Sequence, residues 1–277
     1  MSGKASFEEG EHGPAVIEGV TTALSWLSVL PFRGATAFDR VTGARMMAAS
    51  PIVGVVFGLC AVALLSLLGL LGVAPLLSAV LVVIMWELLS RLMHLDGLAD
   101  VADALGSYAA PERAREILAD PHTGLFGFSA AAFSLLLQIA AVMSLIDNGV
   151  SWLVFFLPPL GRVAGQVVAR SGRIPLSPTG FGALVVGTVK PRWIIAWWLI
   201  FTVLAVVAAV AGGAASLAWV VGMTGLVACL ITEVGARHLS RRFQGINGDC
   251  IGAGIHLGTA VSAVLFAVAV SGWLALT

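Results

Sequence analysis

Charge is scarce in this sequence. Of its 277 residues only 11% are Asp, Glu, Lys or Arg, against about a quarter in soluble domains, and the mean hydropathy is +1.00. A water-soluble globular protein is excluded. Net charge is lacking too: 15 basic residues balance 15 acidic ones, so no cationic surplus recruits nucleic acid. Cysteine is almost absent, and Cys60, Cys229 and Cys250 lie far apart, which supports neither a disulfide framework nor a zinc cluster. The start, SGKASFEEGEHGP, is polar and acidic and lacks the basic and then apolar pattern of a signal peptide. Residues 1–15 therefore read as a disordered polar tail ahead of a single integral membrane domain, 16–277. Within it, Val16 to Phe32 is apolar but holds Glu18 and ends near Pro31, which suits an interfacial segment or a plug in the bundle.

What is abundant is uninterrupted apolar sequence. A bilayer core about 30 Å thick needs roughly 20 apolar residues per helical span. No charge falls between Arg45 and Glu87, room for two spans with a turn at Gly69 to Pro75, or between Arg192 and Glu233, where Gly212 and Gly213 mark the turn. Further runs extend from Gly124 to Ile146, from Val150 past Pro158 and Pro159 to Ala169, and from Ile251 to the C-terminus. The expectation is an all-α polytopic membrane bundle of about seven spans. Lys4 and every arginine fall before the first span or at same-side ends of later ones, whereas the turns near Gly72, Asn148 and Gly213 carry none. The positive-inside rule then gives an N-in, C-out topology with the polar loops in the cytoplasm.

Two polar islands stand out on that side. In the first, Asp96, Asp100 and Asp103 are spaced i, i+4 and i+7, on one face of a helix. Like charges so placed repel unless a cation neutralises them, and magnesium takes carboxylates together with substrate phosphates. A solvated helix face is the plainer alternative. His94 suits phosphate orientation or base chemistry, or simply the interface. Pro111 opens a short helix of alternating charge that solvates itself. Beyond it, Asp120-Pro-His-Thr-Gly-Leu-Phe-Gly127 places glycines where backbone approaches a ligand, or where a turn and cap begin the next span.

The second island, Gly235 to Gly258, holds Gly245, Gly248, Gly252 and Gly254, which read as a flexible loop with Asn247 and Asp249, preceded by Arg237, Arg241 and Arg242. Glycine-rich backbone beside basic side chains suits phosphate, although no Walker A lysine follows, and the arginines also read as positive-inside anchors. Glu87 and Arg91 have the spacing of a helical ion pair. Arg162 lies inside an apolar run, where an ionisable group is either functional or snorkelling.

Together these residues resemble the cobalamin synthase family, the adenosylcobinamide-GDP ribazoletransferases. His94-Leu-Asp-Gly-Leu-Ala-Asp-Val-Ala-Asp103 is similar to the family's H-x-D-G-L-A-D-x-x-D signature at every fixed position. Glu116 to Gly127 resembles the segment in which an aspartate precedes G-x-x-G, and Gly245-Ile-Asn-Gly-Asp-Cys-Ile-Gly-Ala253 resembles G-x-T-G-D-x-x-G-A. Leu27 to Phe32 and Pro51 to Gly54 echo its L-P and P-x-x-G beginnings. Asn247 replaces the usual threonine, and His256 and Thr259 stand where members often carry glutamate.

The resemblance implies a Mg2+-dependent enzyme of the bacterial or archaeal cytoplasmic (inner) membrane, its site facing the cytoplasm. It would join adenosylcobinamide-GDP to α-ribazole or α-ribazole 5′-phosphate, release GMP, and so complete the cobalamin nucleotide loop. Asp96, Asp100 and Asp103 would hold magnesium. Asp249, with His94 and Asp120, would be catalytic, and Arg237, Arg241, Arg242, Arg162, Asn247 and Gly248 would contact substrate phosphates. The partners expected are those substrates and the lipid bilayer, not nucleic acid, with homo-oligomerisation open. The rivals are a CDP-alcohol phosphatidyltransferase, which would need an arginine that does not follow Asp96-Gly-Leu-Ala, and an ion-coupled transporter, which would need mid-span carboxylates and internal repeats.

Overall fold

The computed structural model describes residues 11–274. The expectation of a disordered tail over 1–15, and with it Lys4, falls mostly on residues outside that range. All regular structure among the described residues is helical; strand-like pairing is limited to isolated bridges between Arg170 and Val189 and between Pro175 and Ile246.

The chain opens with α1, Ala15–Trp26, which is too short to cross a bilayer. Its buried face carries Glu18, Gly19, Thr22 and Ala23 against α2, Arg40–Leu70. Asp39 caps α2 by accepting the N–H groups of Val41 (2.9 Å) and Thr42 (2.8 Å). Glu18 anchors α1 there: it accepts from the Gly13 N–H (2.7 Å) and the Thr42 hydroxyl (3.1 Å) and pairs with Arg45 (3.1 Å) and His12 (3.3 Å). Burial alone would raise the Glu18 carboxyl pKa, but hydrogen bonds from Thr42 and Gly13 and the Arg45 charge more than offset it, leaving it below the ordinary value.

A turn at 71–74 leads to α3, Pro75–Leu89, completing the first expected hairpin. Helix α4, Met93–Gly106, departs from α3 at 88°. The break is made by Arg91 (φ 58°) and Leu92 (φ 60°), consecutive left-handed residues with side chains, a conformation costing roughly 1–2 kcal/mol at each. This overturns the expected Glu87–Arg91 helical pair: α3 stops before Arg91, and Glu87 instead faces His256.

Next come α5, Pro111–Leu118, with its exposed Arg113–Glu116 and Arg115–Glu112 pairs, and α6, Leu125–Asp147. A 3-10 turn over Ser151–Phe156 feeds α7, Leu157–Val168. The bracing helix α8, Phe181–Val185, precedes a second hairpin of α9, Pro191–Ala211, and α10, Val220–Phe243, and the chain ends in α11, Gly248–Leu274.

Among the described residues six helical segments are long and apolar enough to cross a membrane; the bent α3–α4 pair, counted as one span, brings the number to the seven expected from sequence. The run through Pro158 and Pro159 is the most enclosed: 83% of its apolar window is buried, against 17% for α9, whose Leu199, Val203 and Val207 face outward. Thus α7 is the central helix and α9 a peripheral one. Small residues let α11 press against α7. A side chain at Gly161 would meet the Thr259 hydroxyl, and one at Gly258 would meet Ala164.

The expected flexible loop over the second island is also corrected. From Gly248 onward it is helix, and Gly252 and Gly254 are close-approach points: Gly252 faces Met93 and His94, and Gly254 faces Val168.

Candidate active site

The start of α4 crosses the start of α11 at glycines. A Cβ on Gly97 would lie 2.8 Å from the Asp249 carbonyl oxygen, and one on Gly252 3.2 Å from that of Met93. Only residues without side chains allow this approach, which brings Asp96 and Asp249, distant in sequence, to one cavity of about 860 Å³. His94, Arg91 and Gly248 also line it, opposite an apolar wall that includes Trp26, Met47 and Phe181. A mostly apolar cleft with a few convergent polar groups at one end is the usual form of a site for a large organic ligand.

Asp100 completes the acidic group. The charges of Asp96, Asp249 and Asp103 act on its carboxylate. Asp249 is oriented by Asn247, whose side-chain amide donates to Asp249 Oδ2 (2.6 Å) and whose carbonyl oxygen accepts the Cys250 N–H (3.0 Å) as the cap of α11. Among the described residues no three Asp, Glu, His or Cys side chains close into a ready-made metal cage. The two carboxylates that open onto the cavity, Asp96 and Asp249, nevertheless fit magnesium, which is commonly bound by one or two carboxylates with substrate phosphates supplying the rest.

Asp103 has a different occupation. Its two oxygens accept the N–H groups of Gly124 (2.7 Å) and Gly127 (2.9 Å), so it caps α6 from a neighbouring helix. Asp120 is exposed and bound to His122, through the backbone N–H at 2.9 Å and the ring at 2.7 Å; it does not line the cavity. Nor do the three arginines of α10. Arg237 pairs with Glu233 (2.7 Å), Arg242 donates to the Ala109 carbonyl, and Arg241 is exposed. Arg170 and Arg173 share Glu233 with Arg237. The cavity arginine is Arg91, whose role the sequence disguised as half of a helical pair.

Arg162 is fully enclosed. Its guanidinium donates to His94 Nε2 (3.0 Å) and lies 5.3 Å from the centre of the Phe57 ring. A second, smaller cavity of about 30 Å³ behind His94 is lined by Arg162, Glu87, Gln138 and His256. The sequence paired Glu87 with Arg91 and carried no signal at Gln138; only three-dimensional contact reveals their place beside His94.

Comparison with known proteins bears on the same residues. The family model of cobalamin-5-phosphate synthase matches residues 19–267. This chain belongs to the cobalamin-5-phosphate synthase family. A Corynebacterium efficiens protein named adenosylcobinamide-GDP ribazoletransferase is 65% identical over 98% of this chain and 99% of its own length. Proteins of that name from Corynebacterium diphtheriae and Frankia casuarinae are 48% identical, over 98% of each chain, and 33% identical, over 90% of this chain and 94% of theirs. No solved structure matches.

The departures from the family pattern find local explanations. Asn247 does the capping that a threonine can also do. His256 faces Glu87 at 3.4 Å and Gln138 at 3.2 Å. Thr259 turns its hydroxyl onto the Ile255 carbonyl (2.9 Å) at the tight contact with Gly161, where a longer side chain would force α7 and α11 apart.

Proposed function

We infer that this chain is a membrane transferase joining adenosylcobinamide-GDP to α-ribazole or its 5′-phosphate, the last assembly of the nucleotide loop. The match to the family over nearly the whole chain carries this reading, and the acidic cavity supports it. An acceptor hydroxyl oxygen attacks the phosphorus bearing cobinamide, the bond from that phosphorus to the GMP oxygen breaks, and GMP departs with the electron pair. Such transfer demands positioning and charge neutralisation more than covalent help from the protein.

Asp96 and Asp100 would hold Mg2+, which supplies charge neutralisation at the diphosphate when bound. Asp249, held by Asn247, accepts the proton of the attacking hydroxyl. Arg91 grips a phosphate oxygen from the cavity wall. The apolar wall accommodates the organic parts of the substrates. One-sided arginines favour an N-in, C-out chain in the bacterial cytoplasmic membrane with this cavity open to the cytoplasm.

The test is turnover by purified protein in liposomes given adenosylcobinamide-GDP and α-ribazole, with and without Mg2+. Magnesium-dependent formation of GMP and a complete corrinoid in equal amounts is expected. GMP release that is independent of the acceptor would overturn the transferase reading.

A further inference from the structure

His94 forms the wall between the two cavities, lining the small one with Arg162 and the large one with Asp96 and Asp249. Its Nε2 is 3.0 Å from Arg162 Nη1 and both side chains are buried. A guanidinium has donors and no acceptor. Nε2 must therefore offer a lone pair, and a neutral ring then carries its proton on Nδ1. A ring with protons on both nitrogens would set donor against donor in the interior. Among the described residues Nδ1 makes no protein hydrogen bond, and it is not one of the fully buried orphan atoms, on a ring that lines the large cavity. Arg162 cannot readily turn away: Glu87 acts on it electrostatically and Phe57 lies against it.

We propose that Arg162 is a positioning residue that fixes His94 in the Nδ1–H tautomer, so that His94 presents a hydrogen-bond donor to a substrate phosphate oxygen beside Asp96. This rests on the transferase reading for its substrate but not for its geometry. His94 is then the neutral donor among carboxylates that would otherwise repel an anionic diphosphate. It does not serve as the base of the reaction.

The test uses the full chain in nanodiscs with its five histidines labelled with 15N, the His94 signal being assigned by its loss in His94→Asn. A protonated Nδ1 and an unprotonated Nε2 are expected for wild type and Arg162→Lys, and growth of the other tautomer for Arg162→Met. In turnover, His94→Asn, whose amide nitrogen overlays Nδ1, should keep more kcat than His94→Gln, whose amide nitrogen overlays Nε2, by about 10- to 100-fold. Arg162→Lys should retain kcat that Arg162→Met loses. A wild-type ring protonated on Nε2, or His94→Gln outperforming His94→Asn, overturns the proposal. The spectra need no substrate, so a wild type that makes no product would sink the transferase reading without touching the tautomer. If Arg162→Met does not fold, the wild-type spectrum and the two His94 variants still decide.

Discussion

Asp103 holds Gly127 across a helix boundary: its Oδ1 receives the Gly127 N–H at 2.9 Å, and a Cβ on that glycine would come within 2.3 Å of its other oxygen, Oδ2. Together with the Gly124 N–H at 2.7 Å, this ties the first turn of α6 to α4. The third aspartate of the acidic run is thereby a cap supplied from another helix.

Asp103→Ala should consequently lower stability by about 1–2 kcal/mol through loss of that cap, and Gly127→Ala should do likewise by displacing the carboxylate. Thermal unfolding in detergent checks this. Unchanged melting in both variants would remove the capping role.

Asp96→Asn and Asp249→Asn should behave in the opposite way. Each removes a cavity carboxylate but leaves in place an amide oxygen that can still accept, at position 249 from the capping Asn247, so turnover should fall by roughly 100-fold or more while melting stays near wild type. The decisive reading is activity over a magnesium titration; wild-type kcat in either variant would remove that residue from the chemistry.

Arg91 and Arg241 separate the two arginine assignments. Arg91 lines the cavity, whereas Arg241 is exposed on α10 away from it. Arg91→Gln should raise KM for adenosylcobinamide-GDP about tenfold or more, the scale of one charge-assisted hydrogen bond. Arg241→Gln should leave KM unchanged, and a rise there as large as that for Arg91→Gln would restore the α10 arginines to substrate binding.

The anchoring of α1 should depend on pH in a definite direction. Because the Glu18 carboxyl is held below its ordinary value, its contribution is complete above about pH 5 and is lost as pH falls through the lowered folded value. Hydrogen exchange over residues 13–26 should show steady protection near neutrality and opening in acid. Glu18→Gln should be less protected at neutrality and flatter with pH. Protection that grows on acidification would contradict the ion-pair account.

Sequence alone determined the membrane class, the two hairpins and the expected number of spans, because apolar runs of bilayer length and one-sided cations are local properties that need no partner to be recognised. It also located the acidic run and the Asp249 segment, since their motifs are contiguous. Tertiary structure alone decided which of those residues meet. Gly97 and Gly252 let α4 approach α11, so Asp96 and Asp249 share a cavity while Asp103 turns to α6. A left-handed break at Arg91 swung that side chain from a helical pair to the cavity wall, and α7 carried Arg162 to His94. Helical spacing predicts which side chains share a face, but which face another helix occupies depends on packing between segments far apart in the chain.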